Sequence, residues 1–235
     1  MIPQTNTRNS PALWQYLWNC GGVAVFLPIW TYLYLKQRSK GSPQLPEPGT
    51  GALPLTALLS ICLELPLLVP AWIGADSATI QQGVLFFFLG PPIFSAFHSL
   101  VSGAITSSSK RISKPVKTAY YITAVVSAVV HVYCVVYAIM SPDLSLGRVY
   151  FPQNDSVQSG QPNIMTEAAF LFLKYDYLII NINVLILGGH ILRTKSNSKE
   201  AFNTRGSIPT LIGLTAIFGP GAGLAYAACC GEEPL

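Results

Sequence analysis

The chain has 235 residues, of which 51% are hydrophobic and only 10% charged, against about 25% charged in soluble domains. With a mean hydropathy of +0.44, this excludes an ordinary soluble domain and indicates an all-α integral membrane protein. The formal charge of +4 calls for no nucleic-acid partner, because the basic residues fall where membrane topology places them.

Six apolar stretches are long enough to cross a bilayer, at about 20 residues each. They are residues 13–35, 52–73, 80–102, 117–140, 167–192 and 207–230. No basic region precedes a short apolar core at the N-terminus, so no secretory signal is expected. The reading is one bundle domain over residues 1–235, with a Pro/Gly-rich cytosolic loop at 36–51 and a lumenal loop at 141–166. Pro54, Pro66 and Pro70 punctuate the second stretch, and Gly90-Pro91-Pro92 the third. Kinks are expected near the middle of both.

Charge orients these spans. Lys36, Arg38 and Lys40 follow the first, Lys110, Arg111, Lys114 and Lys117 the third, and Arg193, Lys195, Lys199 and Arg205 the fifth. These eleven share one side, and the other has only Arg8 and Arg148. The positive-inside rule then puts both termini in the lumen. The sequon Asn154-Asp155-Ser156 falls on the same side as the termini. In a eukaryotic cell the expected location is the endoplasmic-reticulum membrane.

Cys20, Cys62 and Cys134 are scattered through apolar stretches and read as small buried hydrophobes. Cys229-Cys230 closes the last span. No cysteine or histidine spacing suits a metal.

Two acids inside apolar spans stand out: Glu64 in Leu-Glu-Leu-Pro and Asp176 in Lys-Tyr-Asp-Tyr. A carboxylate at the centre of a membrane helix costs about 2.5–3.5 kcal/mol on insertion scales, which marks it as a candidate functional group. Glu64 is nine residues before Ile73, His131 nine before Met140, and Asp176 nine after Glu167. Each is then about 14 Å from the lumenal end of its helix. Each also has a structural reading. Glu64 would bond a carbonyl freed by Pro66 or Pro70, Asp176 would pair near the helix end, and His131 would be a satisfied buried histidine. Lys174, two residues from Asp176, points to nearly the opposite face and is expected to snorkel toward the lumen. Asn181 and Asn183 continue a polar stripe, with Asn183 on nearly the face of Asp176. Tyr175, Tyr177, Trp72, Tyr133 and Tyr137 are the candidate aromatic cavity lining. Such rings serve as packing or interfacial belt in many membrane proteins, and a lining subset stabilises a carbocation.

A neutral acid in an apolar aromatic cavity suits protonation of an epoxide or an alkene, with water excluded. The chain has no Asp-Asp-x-x-Asp box for magnesium-dependent diphosphate ionisation. It also lacks Gly-x-Ser-x-Gly, a P-loop and a dinucleotide fingerprint. No cofactor is therefore called for.

Phe172-Leu173-Lys174-Tyr175-Asp176-Tyr177 resembles an aromatic-Asp-aromatic element of fungal membrane-bound terpene cyclases, the group making ascofuranone- and macrophorin-type meroterpenoids. Phe218-Gly219-Pro220-Gly221-Ala222-Gly223, then Gly231-Glu232-Glu233, is similar to that family's closing segment. Phe26-Leu27-Pro28-Ile29-Trp30 is a looser match. The chain is shorter than the family pattern, as though early spans were missing. The small cyclases of the pyripyropene type are nearer in length and also use one Glu and one Asp, but their surrounding motifs are not found.

The resemblance implies metal-independent cyclisation of a farnesylated aromatic, from its epoxide or its alkene. It implies Asp176 as the proton donor or its partner. Glu64 as second acid rests on depth and chemistry alone, with His131 or Asn183 as the orienting group. The partners expected are a prenylated small molecule and membrane lipids. The alternatives are a sterol- or lipid-isomerase-like membrane enzyme and a non-enzymatic lipid-binding or transport protein.

Overall fold

In a computed structural model the described residues are 11–38, 49–105, 113–142, 144–153, 163–196 and 204–231. They form helices and no strand. In order these are α1 (Pro11–Gly21), α2 (Val23–Arg38), α3 (Leu53–Trp72), α4 (Ser77–Phe88), α5 (Gly90–Ala104), α6 (Ser113–Met140), α7 (Leu146–Tyr150), α8 (Ile164–Ser196), α9 (Thr204–Phe218) and α10 (Pro220–Gly231). The sequon, Glu232 and Glu233, Arg8, Lys40, Lys110, Arg111, Lys199 and most of the 36–51 loop lie outside the described residues.

Three of the six expected segments are single helices long and apolar enough to cross a membrane: Thr50–Trp72, Lys114–Met140 and Ile164–Thr194. A fourth follows if α4 and α5, bent by 48°, are taken as one span. The remaining two segments contain the shorter apolar helices Val23–Lys36 and Ser207–Phe218. The fold is thus all-α and built for a membrane. Large apolar side chains such as Ile73, Leu100 and Met140 face outward, as lipid contact requires.

The three divided segments break for visible reasons. Between α1 and α2 stands Gly22 at φ 86°, a left-handed conformation that glycine adopts freely. Between α4 and α5, Pro91 and Pro92 remove the N–H groups that the carbonyls of Phe87 and Phe88 would use. Between α9 and α10, Gly219 at φ 86° ends one helix and Pro220 starts the next. The expected interruption at Gly90-Pro91-Pro92 is therefore present, whereas α3 continues as one helix through Pro66 and Pro70.

The chain divides into two compact units, residues 1–21 with 41–122 and residues 22–40 with 123–235. In the first, α3 packs on α4 and α5, and α1 on α5. Pro70 leaves the Pro66 carbonyl without its helical donor. Gly83 of α4 approaches that carbonyl so closely that a Cβ would collide with it. A polar clasp joins α3 to α5. Buried Thr56 donates to the Ala52 carbonyl (2.9 Å) and lies 3.0 Å from His98 Nδ1. The hydroxyl proton of Thr56 is thus committed, so Nδ1 donates to Thr56 and Nε2 accepts from Ser102 at 3.4 Å.

In the second unit α8 is the central element, touching α2, α7, α9 and α10. Small residues at four-residue spacing run down α10. Gly223 lies against Thr215, and Ala227 packs beside Gly188 and Leu211. Gly231 lies against Ile191. Without water to drive apolar association, close backbone approach of this kind holds membrane helices together. Leu192, Leu211 and Ala227 form the core of this seam.

Two glycine substitutions separate packing from propensity. Gly83→Ala is expected to lower the thermal stability of the detergent-extracted protein by about 1–3 kcal/mol through overpacking. Gly213→Ala, where the added methyl meets nothing within 4 Å, is expected to be neutral or to stabilise by about 0.5–1 kcal/mol. Differential scanning fluorimetry of the two variants beside wild type checks both.

Candidate functional site

The second unit holds Asp176, His131 and Asn183, and the first holds Glu64. Asp176 is 8% exposed on α8. Its Oδ1 accepts from the Ala24 N–H at 2.7 Å. Ala24 lies in the first turn of α2, where N–H groups have no intrahelical acceptor and the helix dipole favours an anion. Gly22 makes this approach possible, since a Cβ there would run into the Phe172 ring and lie 3.5 Å from Asp176 Oδ1. The carboxylate therefore closes a broken helix. With Oδ1 accepting, any proton the acid carries sits on Oδ2.

Lys174 does not snorkel outward. It is 3% exposed, with Nζ 4.3 Å from the Phe170 ring centroid, a cation–π contact. Glu167 pairs with Arg148 at 2.8 Å, so neither charge meets Asp176. Asn181 and Asn183 donate to the carbonyls of Tyr177 (2.7 Å) and Ile179 (2.9 Å), one helical turn back in each case. The Nδ2 group of Asn183 thus serves its own helix.

His131 occupies a second helix end. It packs against the α9–α10 junction at Gly219. The residue four beyond Ala216 is Pro220, which has no N–H, so the Ala216 carbonyl needs an outside donor. Gly219 lies close beside the ring, and an added Cβ would come within 3.0 Å of His131 Cβ and Cγ. On its other side, His131 stacks on Tyr177 with centroids 6.3 Å apart and planes 8° from parallel. The Tyr177 hydroxyl is 3.4 Å from His131 Nδ1.

Tyr150 completes a three-ring cluster, 5.8 Å from His131 and 5.2 Å from Tyr177 between centroids. It sits on α7, a five-residue helix capped by Ser145, whose hydroxyl accepts from the Arg148 N–H at 3.1 Å. The Arg148–Glu167 pair fastens α7 to the start of α8. Sequence reasoning missed Tyr150 because it lies in the loop after a span. The available signal was the cap, Ser145-x-x-Arg148, followed by aromatics. Burial, then the neighbouring Tyr177 and Cys134, push the Tyr150 phenol up to about 12.

The other aromatic candidates are dispersed. Tyr133 and Tyr137 stack on each other at 6.1 Å. They line an open hollow of about 430 Å³ with Val136, Met140, Ser141 and Pro142. Tyr133 is two residues from His131, hence about 200° round α6. Tyr175 is 40% exposed, and Trp72 is an exposed residue of the first unit. Glu64 lies on an exposed face of α3. Among the described residues it makes no hydrogen bond or ion pair, with a proline-freed carbonyl or otherwise. Cys20, Cys62 and Cys134 lie on exposed faces, not in a core.

Residues 4–230 match the CtvD domain family. The chain is 26% identical over 256 residues to terpene cyclase DEP1 of Alternaria brassicicola, covering 96% of this chain and 69% of that one. It is 25% identical over 254 residues, with the same coverage, to terpene cyclase DEP1 of Fusarium langsethiae. No solved structure matches. The chain belongs to the CtvD domain family, a fungal terpene cyclase family.

Two measurements test this geometry. Asp176→Ala leaves the Ala24 N–H without its acceptor and is expected to cost about 1 kcal/mol of stability. Asp176→Asn retains an acceptor oxygen and costs less, and thermal unfolding in detergent ranks the two. For Tyr150 the folded value lies above the ordinary 10.0. Its burial therefore contributes stability that is whole below about pH 10 and lost as pH rises toward about 12. In Tyr150→Phe one late phase is expected to vanish from the tyrosinate absorbance titration, and this alkaline loss becomes shallower.

Proposed function

We propose that this protein is a metal-independent class II terpene cyclase. It protonates the epoxide or alkene of a farnesylated aromatic substrate in the endoplasmic-reticulum membrane of a fungus. The observation that carries the reading is the placement of Asp176. One oxygen is anchored by the α2 N-terminus and the other makes no hydrogen bond among the described residues, in the helix that also presents Tyr177 to His131. An anchored carboxyl group presents its second oxygen in a fixed direction, which proton transfer with a substrate requires. Membership of a terpene cyclase family supports the same chemistry.

In this reading Asp176 delivers the first proton or partners the group that does. His131 or Asn183 is the orienting group, and Tyr177 contributes to the lining. The substrate enters from the lipid phase, as a farnesyl chain favours burial of each CH₂ by about 0.8 kcal/mol. The breaks at Gly22 and Gly219 support a cavity role, because interrupted backbone at membrane depth is tolerated where it faces protein or a cavity.

The test is microsomes carrying the protein, given a farnesylated phenolic acid with and without its terminal epoxide, and ring count of the products by NMR. A cyclised product is expected, falling about 100-fold or more in Asp176→Asn. Full product formation in Asp176→Asn overturns the mechanism.

A further inference from the structure

Among the described residues of the spans, Glu64 is the acid left without a partner. We propose that its face of α3 is a twofold interface between two copies of this chain within the membrane, closed by the two Glu64 carboxyl groups. The interface does not depend on the cyclase reading.

Three observations carry it. The first is the setting of the carboxyl group. Glu64 lies well inside the Thr50–Trp72 span, on an exposed face. A carboxyl group that faces lipid is costly, and polar side chains of membrane helices find their partners on another helix. Its own helix offers no donor one turn back, because the Ser60 hydroxyl donates to the Ala57 carbonyl at 2.7 Å. The second is the direction in which α3 packs. Its buried residues are Thr56, which meets His98 of α5, and Leu63. At about 100° per residue, both lie about 80–100° round the helix from Glu64. Pro66, whose carbonyl meets Gly83 of α4, is about 160° away. Packing within the unit therefore leaves the Glu64 face uncovered. The third is what else that face carries. Ala57, Ser60, Leu67 and Ala71 lie within about 60° of Glu64, at steps of three and four residues. All but Leu67 are small, and such a seam lets two helix backbones come close enough for side chains to bond across it.

Charge selects the occupant. The described basic residues of the long helices lie near helix ends, except Lys174, which is buried against Phe170. Arg148 of α7 is paired with Glu167. Among the described residues no exposed cation thus sits at the depth of Glu64. A protonated carboxyl group carries an O–H donor and an acceptor oxygen, so it is complementary to a copy of itself. In a twofold interface the same patch meets itself, and residues beside the axis face their own equivalents. Two Glu64 side chains placed there exchange two hydrogen bonds.

The experiment labels the full chain with one fluorophore per copy, isolates it from membranes in polymer-bounded lipid discs and counts bleaching steps per disc. A second arm replaces Ala71 with benzoylphenylalanine and maps its photo-cross-links by mass spectrometry. Wild type is expected to bleach in two steps, and position 71 to cross-link to α3 of a second copy. Glu64→Gln keeps a donor and an acceptor and is expected to retain the pair. Glu64→Leu is expected to lower the ratio of two-step to one-step discs about tenfold. Ala71→Phe, bulky on the seam, is expected to do the same, and it decides the question if Glu64→Leu fails to extract as a folded protein. One-step bleaching of wild type overturns the interface. So does a pair that survives the deciding variant, or one that is lost in folded Glu64→Gln. Cross-links from position 71 to another helix of the same chain, to a different protein or to lipid alone overturn it as well.

Discussion

A helix that stops inside an apolar medium leaves backbone groups that water cannot reach, and something in the protein must meet them. The contact between the Asp176 carboxylate and the Ala24 N–H answers that requirement for α2. It fixes the start of α2 against α8 and requires glycine at position 22. It also places the carboxyl group of Asp176 in a defined orientation. His131 lies at the corresponding break between α9 and α10, against Gly219. The two most conspicuous polar residues of the second unit thus each sit where a helix is interrupted.

A structural and a chemical role for such groups do not exclude each other. A membrane-buried carboxylate without a partner is expensive. One hydrogen bond to a helix N-terminus offsets part of that cost and leaves a second oxygen for chemistry. The same holds for an imidazole with two nitrogens. Anchoring occupies one atom of such a side chain, and fixed geometry is what proton transfer needs.

Much of this was legible in the sequence. The apolar segments, the break at Gly90-Pro91-Pro92, and Asp176 and His131 as groups of interest all follow from hydropathy and chemistry. The depth argument, made from helix ends alone, placed His131 level with Asp176, and the residue His131 meets is the adjacent Tyr177. What the sequence did not disclose is azimuth. Rise per residue gives height along a helix, but which face meets which neighbour depends on packing. Tyr133 and Tyr137 consequently turned out to share a separate hollow. The breaks at Gly22 and Gly219 were hidden because hydropathy runs straight through them. Tyr150 was hidden because a five-residue helix has no periodicity to detect.

Pro220 contributes no group to the cluster; it matters through a hydrogen it lacks. Were that N–H present, Ala216 would be satisfied within its helix, and α9 could run on into α10 as one straight span. Instead the chain turns at Gly219, and that turn lays backbone against the His131 ring. A missing hydrogen at one residue thereby makes the junction of two short helices into a wall of the aromatic cluster.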